Sequence, residues 1–398
     1  MMRIGLYGIY GVYNFGCEAI IRGAYKLIKN LYFDADIIYF SYNYEFDRNA
    51  LKDIDIDIRP VITNKKFRDR VNNKMCALMN LEKRVLFFDY AQIINSVDMI
   101  FSIGGDIYTI PEVLRNNNAY PYYNSLVDFC DRAIVAGKEV VVYGASVGPF
   151  GNYQKAVDYY KRNLDKYKMI ICREQISIEY LKNLGLENVC FFPDPALQVK
   201  CEDTKNVEPR YIGINLSPLS VHEIYGDYGV DNCRRLAKLL DDIYEATKKE
   251  LLFIPHVLSK YEGDNDLEFM KRLLDLMKPQ NQQYVKFADS QGGFLGLKPQ
   301  LKQCYIVVSA RMHCAINAIV ENIPALFLSY SQKSIGMCEY IYGSRDWLVS
   351  LNDMEKDVIS KINLMLNNRE KLVEYLIKQN QEMENFYLEN LSMIKQIF

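Results

Sequence analysis

Two short runs in the second half of the chain concentrate groups able to do chemistry. Ser309-Ala310-Arg311-Met312-His313 sets a guanidinium two residues before an imidazole, and Ser329-Tyr330-Ser331-Gln332-Lys333 adds hydroxyls and an ammonium. Such cations hold a small polyanion through charge-assisted hydrogen bonds, and imidazole is the side chain best suited to one proton transfer near neutrality. Both runs follow apolar stretches and lead into segments of helical period. Each therefore offers backbone N–H groups at a helix N-terminus, where anions are favoured. Histidine is scarce, with only His222, His256 and His313 in the chain. A lone histidine is more often structural; an arginine two positions before it and a lysine beyond the next strand favour a site here.

The first half carries quieter signals. Gly8-Ile-Tyr-Gly11-Val-Tyr-Asn14-Phe-Gly16-Cys-Glu18-Ala19 supplies glycines for close backbone approach and polar contacts from Asn14 and Glu18. Its spacing is not that of a dinucleotide-binding loop, and a tight strand-to-helix turn without ligand is the competing reading. Ser102-Ile-Gly104-Gly105-Asp106 and Tyr143-Gly144-Ala145-Ser146-Val147-Gly148-Pro149 are each weak alone. Arg173, in Cys172-Arg173-Glu174, stands where a guanidinium can fork onto a carboxylate or phosphate; an ion pair with a neighbouring acid is the alternative.

These residues must be positioned by alternating elements. Apolar runs rich in β-branched and aromatic residues (Ile4–Tyr7, Ala35–Phe40, Met99–Ile103, Glu139–Tyr143, Met169–Cys172, Val189–Phe192, Tyr211–Leu216, Glu250–Pro255, Tyr305–Ser309, Ala325–Ser329) are separated by helical stretches. That alternation predicts an α/β protein with parallel sheets and helices on both faces. The length of 398 residues calls for two cores. The polar stretch Gln198–Pro209 reads as the linker. The expected domains are residues 1–198 and 210–366, each Rossmann-like and doubly wound, followed by a helical tail over 367–398.

Composition excludes several classes. With 49% hydrophobic and 25% charged residues and a net charge of −2, the chain is neither disordered nor a basic nucleic-acid binder. Ten dispersed cysteines without a CxxC pair suggest neither a zinc ribbon nor a redox motif. No signal-peptide pattern or membrane-length apolar run is present, which leads us to expect a cytoplasmic protein. One segment stands apart. Lys65–Arg84 carries seven cations against two acids, a net of +5, with Phe67, Met75, Leu78, Met79 and Leu81 interleaved. It reads either as a solvated basic helix or as one that lies on an anionic membrane.

Taken together and in order, the Gly11–Ala19 series, Gly104-Gly105-Asp106, Gly144–Pro149, Arg173-Glu174, Pro193-Asp194-Pro195-Ala196, Ile214-Asn215-Leu216-Ser217-Pro218, Ile254-Pro255-His256, Arg311-Met312-His313 and Ser329–Gly336 resemble the polysaccharide pyruvyl transferase family. The resemblance implies a GT-B-like fold, two Rossmann-like domains facing a cleft. It implies transfer of a pyruvyl unit from phosphoenolpyruvate to two sugar hydroxyls of a surface-polysaccharide precursor, forming a cyclic ketal and releasing phosphate. Arg173, Arg311 and Lys333 would hold the donor and His313 would be the acid, with no metal or cofactor required. Substrate contacts are expected at Met312, Ser329, Ser331, Asn14, Glu18, Gly105, Asp106 and Ser146. The base is expected from the first domain, at Glu18 or Asp106. A lipid-linked acceptor and peripheral contact with the inner membrane face fit the same resemblance; nucleic acid does not. Cys17 and Ala145 depart from the usual pattern, both in the half assigned to the acceptor. A nucleotide-sugar glycosyltransferase of the same fold and a non-catalytic anion-binding protein are the rival readings.

Overall fold

The computed structural model describes residues 2–397 apart from 80, 202–206 and 330–331. Among them, thirteen strands form two sheets in which every neighbouring pair runs parallel. The first sheet comprises β1 (Arg3–Tyr7), β2 (Asp36–Ser41), β3 (Asp57–Pro60), β4 (Met99–Ile103), β5 (Glu139–Ala145), β6 (Met169–Cys172) and β7 (Val189–Phe191). The second comprises β8 (Tyr211–Asn215), β9 (Glu250–Phe253), β10 (Val285–Phe287), β11 (Cys304–Ser309), β12 (Ala325–Ser329) and β13 (Leu348–Ser350). Their orders are β3-β2-β1-β4-β5-β6-β7 and β10-β9-β8-β11-β12-β13. Each reverses direction between its first and fourth strands, the switch point where doubly wound folds bind ligands.

Helices cover both faces of such a sheet, so its central strands are apolar without alternation. β4 and β8 are buried at every position. The edge strands β3, β10 and β13 are not: with three or four residues each and charged side chains such as Asp57, Arg59 and Lys286, they offer no apolar run to read. All three escape the sequence reading for that reason.

The chain divides into two compact units, and the division interleaves. One unit holds Met1–Gly11, Ile20–Pro195 and Glu389–Phe398; the other holds Val12–Ala19 and Ala196–Leu388. The helix Phe15–Leu31 thus opens in the second unit and continues in the first, and the C-terminal helix Arg369–Ile397 passes from the second to the first. Asn14 and Glu18, expected on the first domain, belong structurally to the second. Part of the anticipated linker, residues 202–206, lies outside the described residues.

In the first unit Pro195 is packed against two glycines. A Cβ on Gly144 would lie 2.5 Å from the Pro195 ring, and one on Gly23 would lie 2.1 Å from its carbonyl oxygen. Gly144 also has a φ of +73°, which side-chain-bearing residues rarely adopt. Gly144→Ala should therefore destabilise the protein by about 1–3 kcal/mol from overpacking alone, read as a lowered midpoint in chemical denaturation. Ala136→Gly, at a helix end, serves as a mild control.

Candidate functional site

The switch point of the second unit lies between β8 and β11, and Asn215 closes it. Its Oδ1 accepts the Arg311 backbone N–H at 2.9 Å, while its Nδ2 donates to the Ile254 carbonyl (2.9 Å) and to Asp266 Oδ2 (3.2 Å). One amide thereby ties the exits of β8, β9 and β11. Asp266, with no exposed surface, takes two backbone N–H groups on the same oxygen, from His256 and Val257, both at 3.1 Å. Its other oxygen receives Arg311 Nε (3.2 Å) and Nη2 (2.9 Å), and Nη2 also reaches Asp264 at 2.5 Å.

Arg311, expected in the donor clamp, is thus largely engaged already. Its side chain is 12% exposed and two of its nitrogens are taken by carboxylates; only Nη1 has no hydrogen bond among the described residues. Burial alone would weaken the charge on Arg311, but Asp266 and Asp264 outweigh it and hold the pKa above its ordinary value. Burial pushes the Asp266 carboxyl up, and Arg311 pulls it back. One guanidinium with two carboxylates sums to −1, an unfavourable setting for a polyanion by itself.

His313 stands in the first turn of the helix Met312–Ile319, which begins right after Arg311. Its position is set by a missing side chain, because a Cβ on Gly16 would fall 2.5 Å from His313 Nδ1. Next to it, His256 is buried with its ring edge-on to Phe15 (5.5 Å) and Phe294 (5.8 Å). Burial, then the positive field of His313, Arg311 and Lys298, drives the His256 pKa well below its ordinary value, so this imidazole is neutral. Glu18 is likewise buried, and its Oε2 accepts the Phe294 N–H at 2.8 Å in the first turn of the helix Gly293–Leu301. From that position Glu18, expected as a base, stabilises a helix N-terminus. Asn14 Oδ1 accepts the Gly16 N–H at 3.0 Å and so shapes the turn that carries Gly16.

Sequence reasoning missed two hydroxyls. Ser217 and Ser220 occupy the N-cap and third positions of the helix Pro218–Tyr225, at the exit of β8. Both side chains lack exposed surface, and neither hydroxyl has a hydrogen-bond partner among the described residues. An N-cap serine normally bonds to the helix's own N–H groups, and Ser217 does not. Leu219 between them is half-buried and His222, one turn on, is exposed, so the turn reaches the surface. Serine spaced by proline at a strand exit was the available signal. Met312 and Ser329 are buried at the neighbouring exits. Ser331 and the side chain of Lys333 lie outside the described residues.

In the first unit, Arg173, unlike Arg311, has no free edge. It is 1% exposed, donating from Nε to Ser146 Oγ (3.0 Å), from Nη1 to Asp194 (2.9 Å) and from Nη2 to the Gly105 carbonyl (3.3 Å), with Asp106 at 3.5 Å. The ion-pair alternative thus describes it: Arg173 ties together the exits of β4, β5, β6 and β7. Gly105, Asp106 and Ser146 are brought together around it. Among the described residues no group of three or more His, Cys, Asp or Glu is placed to hold a metal.

A profile of the family described as polysaccharide pyruvyl transferase matches residues 14–332, a span that contains Asn14, Arg173, Asn215, Asp266, Arg311 and His313. The chain belongs to the polysaccharide pyruvyl transferase family. No curated protein sequence matches this pyruvyl transferase family member. Among solved structures, it is similar over 100% of its length to 97% of the Anabaena protein Alr3699/HepE in complex with UDP and glucose, at 12% identity and a TM-score of 0.60. It is similar over 92% of its length to 93% of UDP-GlcNAc 2-epimerase from Methanocaldococcus jannaschii (13%, 0.55) and over 94% to 91% of S. aureus MnaA with UDP (11%, 0.57). At these identities the likeness shows the fold, which is GT-B-like.

The site yields two predictions. Asp266→Asn leaves the largely buried Arg311 charge with Asp264 as its remaining acidic partner and should cost about 1–3 kcal/mol of stability in denaturant titration. The second concerns Lys298, which has no exposed surface and lies 3.0 Å from Glu321. Burial, opposed by Glu321, lowers its pKa from 10.5 to about 8. Between those two pH values the unfolded chain binds more protons than the folded one, so this group's contribution to stability rises with pH across that window. Lys298→Met should flatten that rise in a stability–pH profile. Glu321 would keep Lys302 at 3.2 Å.

Proposed function

We propose that this chain transfers a pyruvyl group from phosphoenolpyruvate to two hydroxyls of a saccharide, forming a cyclic ketal and releasing phosphate. The observation that carries the reading is a pair of adjacent strand exits: that of β11 holds His313 and a pinned Arg311, and that of β8 leads into a helix N-terminus whose two serine hydroxyls have no partner among the described residues, in a chain of this family. The donor's phosphate is assigned to the N-terminus of Pro218–Tyr225, where Ser217, Ser220 and the backbone N–H groups supply donors without a counter-charge. Its carboxylate is assigned to Arg311 Nη1, with Lys333 completing the charge.

The enol ether reacts once its methylene carbon gains a proton. His313 donates that proton, leaving an oxocarbenium-like centre at the carbon that bears the phosphate oxygen. A saccharide hydroxyl adds there and loses its proton to the partly exposed Asp264 carboxylate. The carbon–oxygen bond to phosphate then breaks, with the electron pair leaving on phosphate. The second hydroxyl adds, its proton passes to the departing phosphate, and the ketal closes. Neutral His256 behind His313 adds no charge that would oppose protonation of the acid.

The test is His313→Ala assayed with phosphoenolpyruvate and a panel of saccharides, following inorganic phosphate and product mass. Turnover should fall by about 10²–10⁴-fold while phosphoenolpyruvate binding persists in calorimetry. Wild-type product should gain the mass of pyruvate less water. Release of a nucleotide from a nucleotide sugar, with no phosphate from phosphoenolpyruvate, would replace this reading with glycosyl transfer.

A further inference from the structure

The helix Phe67–Leu78 of the first unit has no buried residue. Asn73 clips it to the body: its Nδ2 donates to the Val85 carbonyl at 2.7 Å and its Oδ1 accepts the Val85 N–H at 2.8 Å. With about 100° of rotation per residue, Phe67, Val71, Met75 and Leu78 lie about 120–200° around the helix from Asn73. The apolar stripe therefore faces away from the protein. Phe67 and Leu78 are 81% and 86% exposed, and Met75 and the following Met79 are 57% and 67% exposed. Contiguous exposed apolar surface of this kind marks a docking surface.

We propose that this helix docks the protein on an anionic lipid bilayer, lying in the plane of the surface. Charge selects that occupant. Arg70 and Lys74 border the stripe on one side and Arg68 on the other, while Lys65 and Lys66 lead into it. None of these five cations has an ion pair among the described residues, and Asp69 is the one acid among them. Apolar side chains flanked by cations match the boundary between acyl chains and anionic headgroups. A second copy of the same helix would instead bring cations against cations. No helix among the described residues is long and apolar enough to cross a membrane. The consequence of docking, on the proposed function, is access to a saccharide carried on a lipid.

Co-sedimentation of the full chain with vesicles tests it. Vesicles containing about one third phosphatidylglycerol should pull down most of the protein, and phosphatidylcholine vesicles should pull down little. Raising salt to several hundred millimolar should weaken the anionic binding at least fivefold, as screening requires. Phe67→Glu with Leu78→Glu should abolish it, and Arg70→Gln with Lys74→Gln should reduce it severalfold. Both variants should melt as the wild type does and turn over a water-soluble acceptor unchanged. Equal binding to both vesicle types, or binding that survives both double substitutions, would overturn the proposal. So would a wild-type dimer in sedimentation velocity that Phe67→Glu with Leu78→Glu splits, with no vesicle binding.

Discussion

A buried guanidinium needs a buried carboxylate, and each unit is organised around one such demand. In the first unit Arg173 meets Asp194, and in the second Arg311 meets Asp266; neither acid has exposed surface. Leaving either charge without its partner would cost several kcal/mol. The surrounding polar groups follow from that need. Ser146 and the Gly105 carbonyl satisfy the rest of Arg173, while Asn215 and two backbone N–H groups satisfy the rest of Asp266. Each knot joins the carboxyl ends of adjacent strands, so the same bonds that neutralise the charges hold the strand exits in register.

This use of arginine constrains the chemistry. Cations committed to carboxylates provide little net positive charge, so an anion bound at these exits would also need other donors. Helix N-termini offer N–H groups with no compensating acid. The unpartnered Ser217 and Ser220 hydroxyls stand at one of them. A buried hydroxyl without a partner costs stability in the empty protein, and a ligand that supplies the acceptor returns it. Glycine contributes by absence: Gly16 leaves room for His313, as Gly144 and Gly23 do for Pro195.

The helix Phe67–Leu78 obeys an opposite logic. The two sheets bury their central strands, whereas here a whole apolar stripe points out on a helix held by the amide of Asn73. A cationic apolar face can remain exposed because its five unpaired cations resist self-association, while the same cations favour an anionic surface.

The amino-acid sequence by itself determined the architecture. Apolar runs covered by amphipathic helices admit little besides parallel doubly wound sheets, and ten of thirteen strands were legible because central strands are buried on both faces. The three missed strands are edges of only three or four residues, whereas the remaining edge, β7, was legible through the apolar run Val189–Phe192. His313, Arg311 and Arg173 were legible as residues of consequence because charged groups at strand exits are seldom idle. Their partners were not. Asp194 follows β7, while Asp264 and Asp266 lie together where the helix Asp266–Leu276 begins, and the sequence carries no sign that these acids, rather than a ligand, take up the arginines. The first turn of Phe15–Leu31, with Glu18, joins the second unit, although it lies almost two hundred residues before the rest of that unit. Such pairings are decided by tertiary structure, because burial sets which charges must meet, and burial is a property of the folded chain rather than of spacing along it.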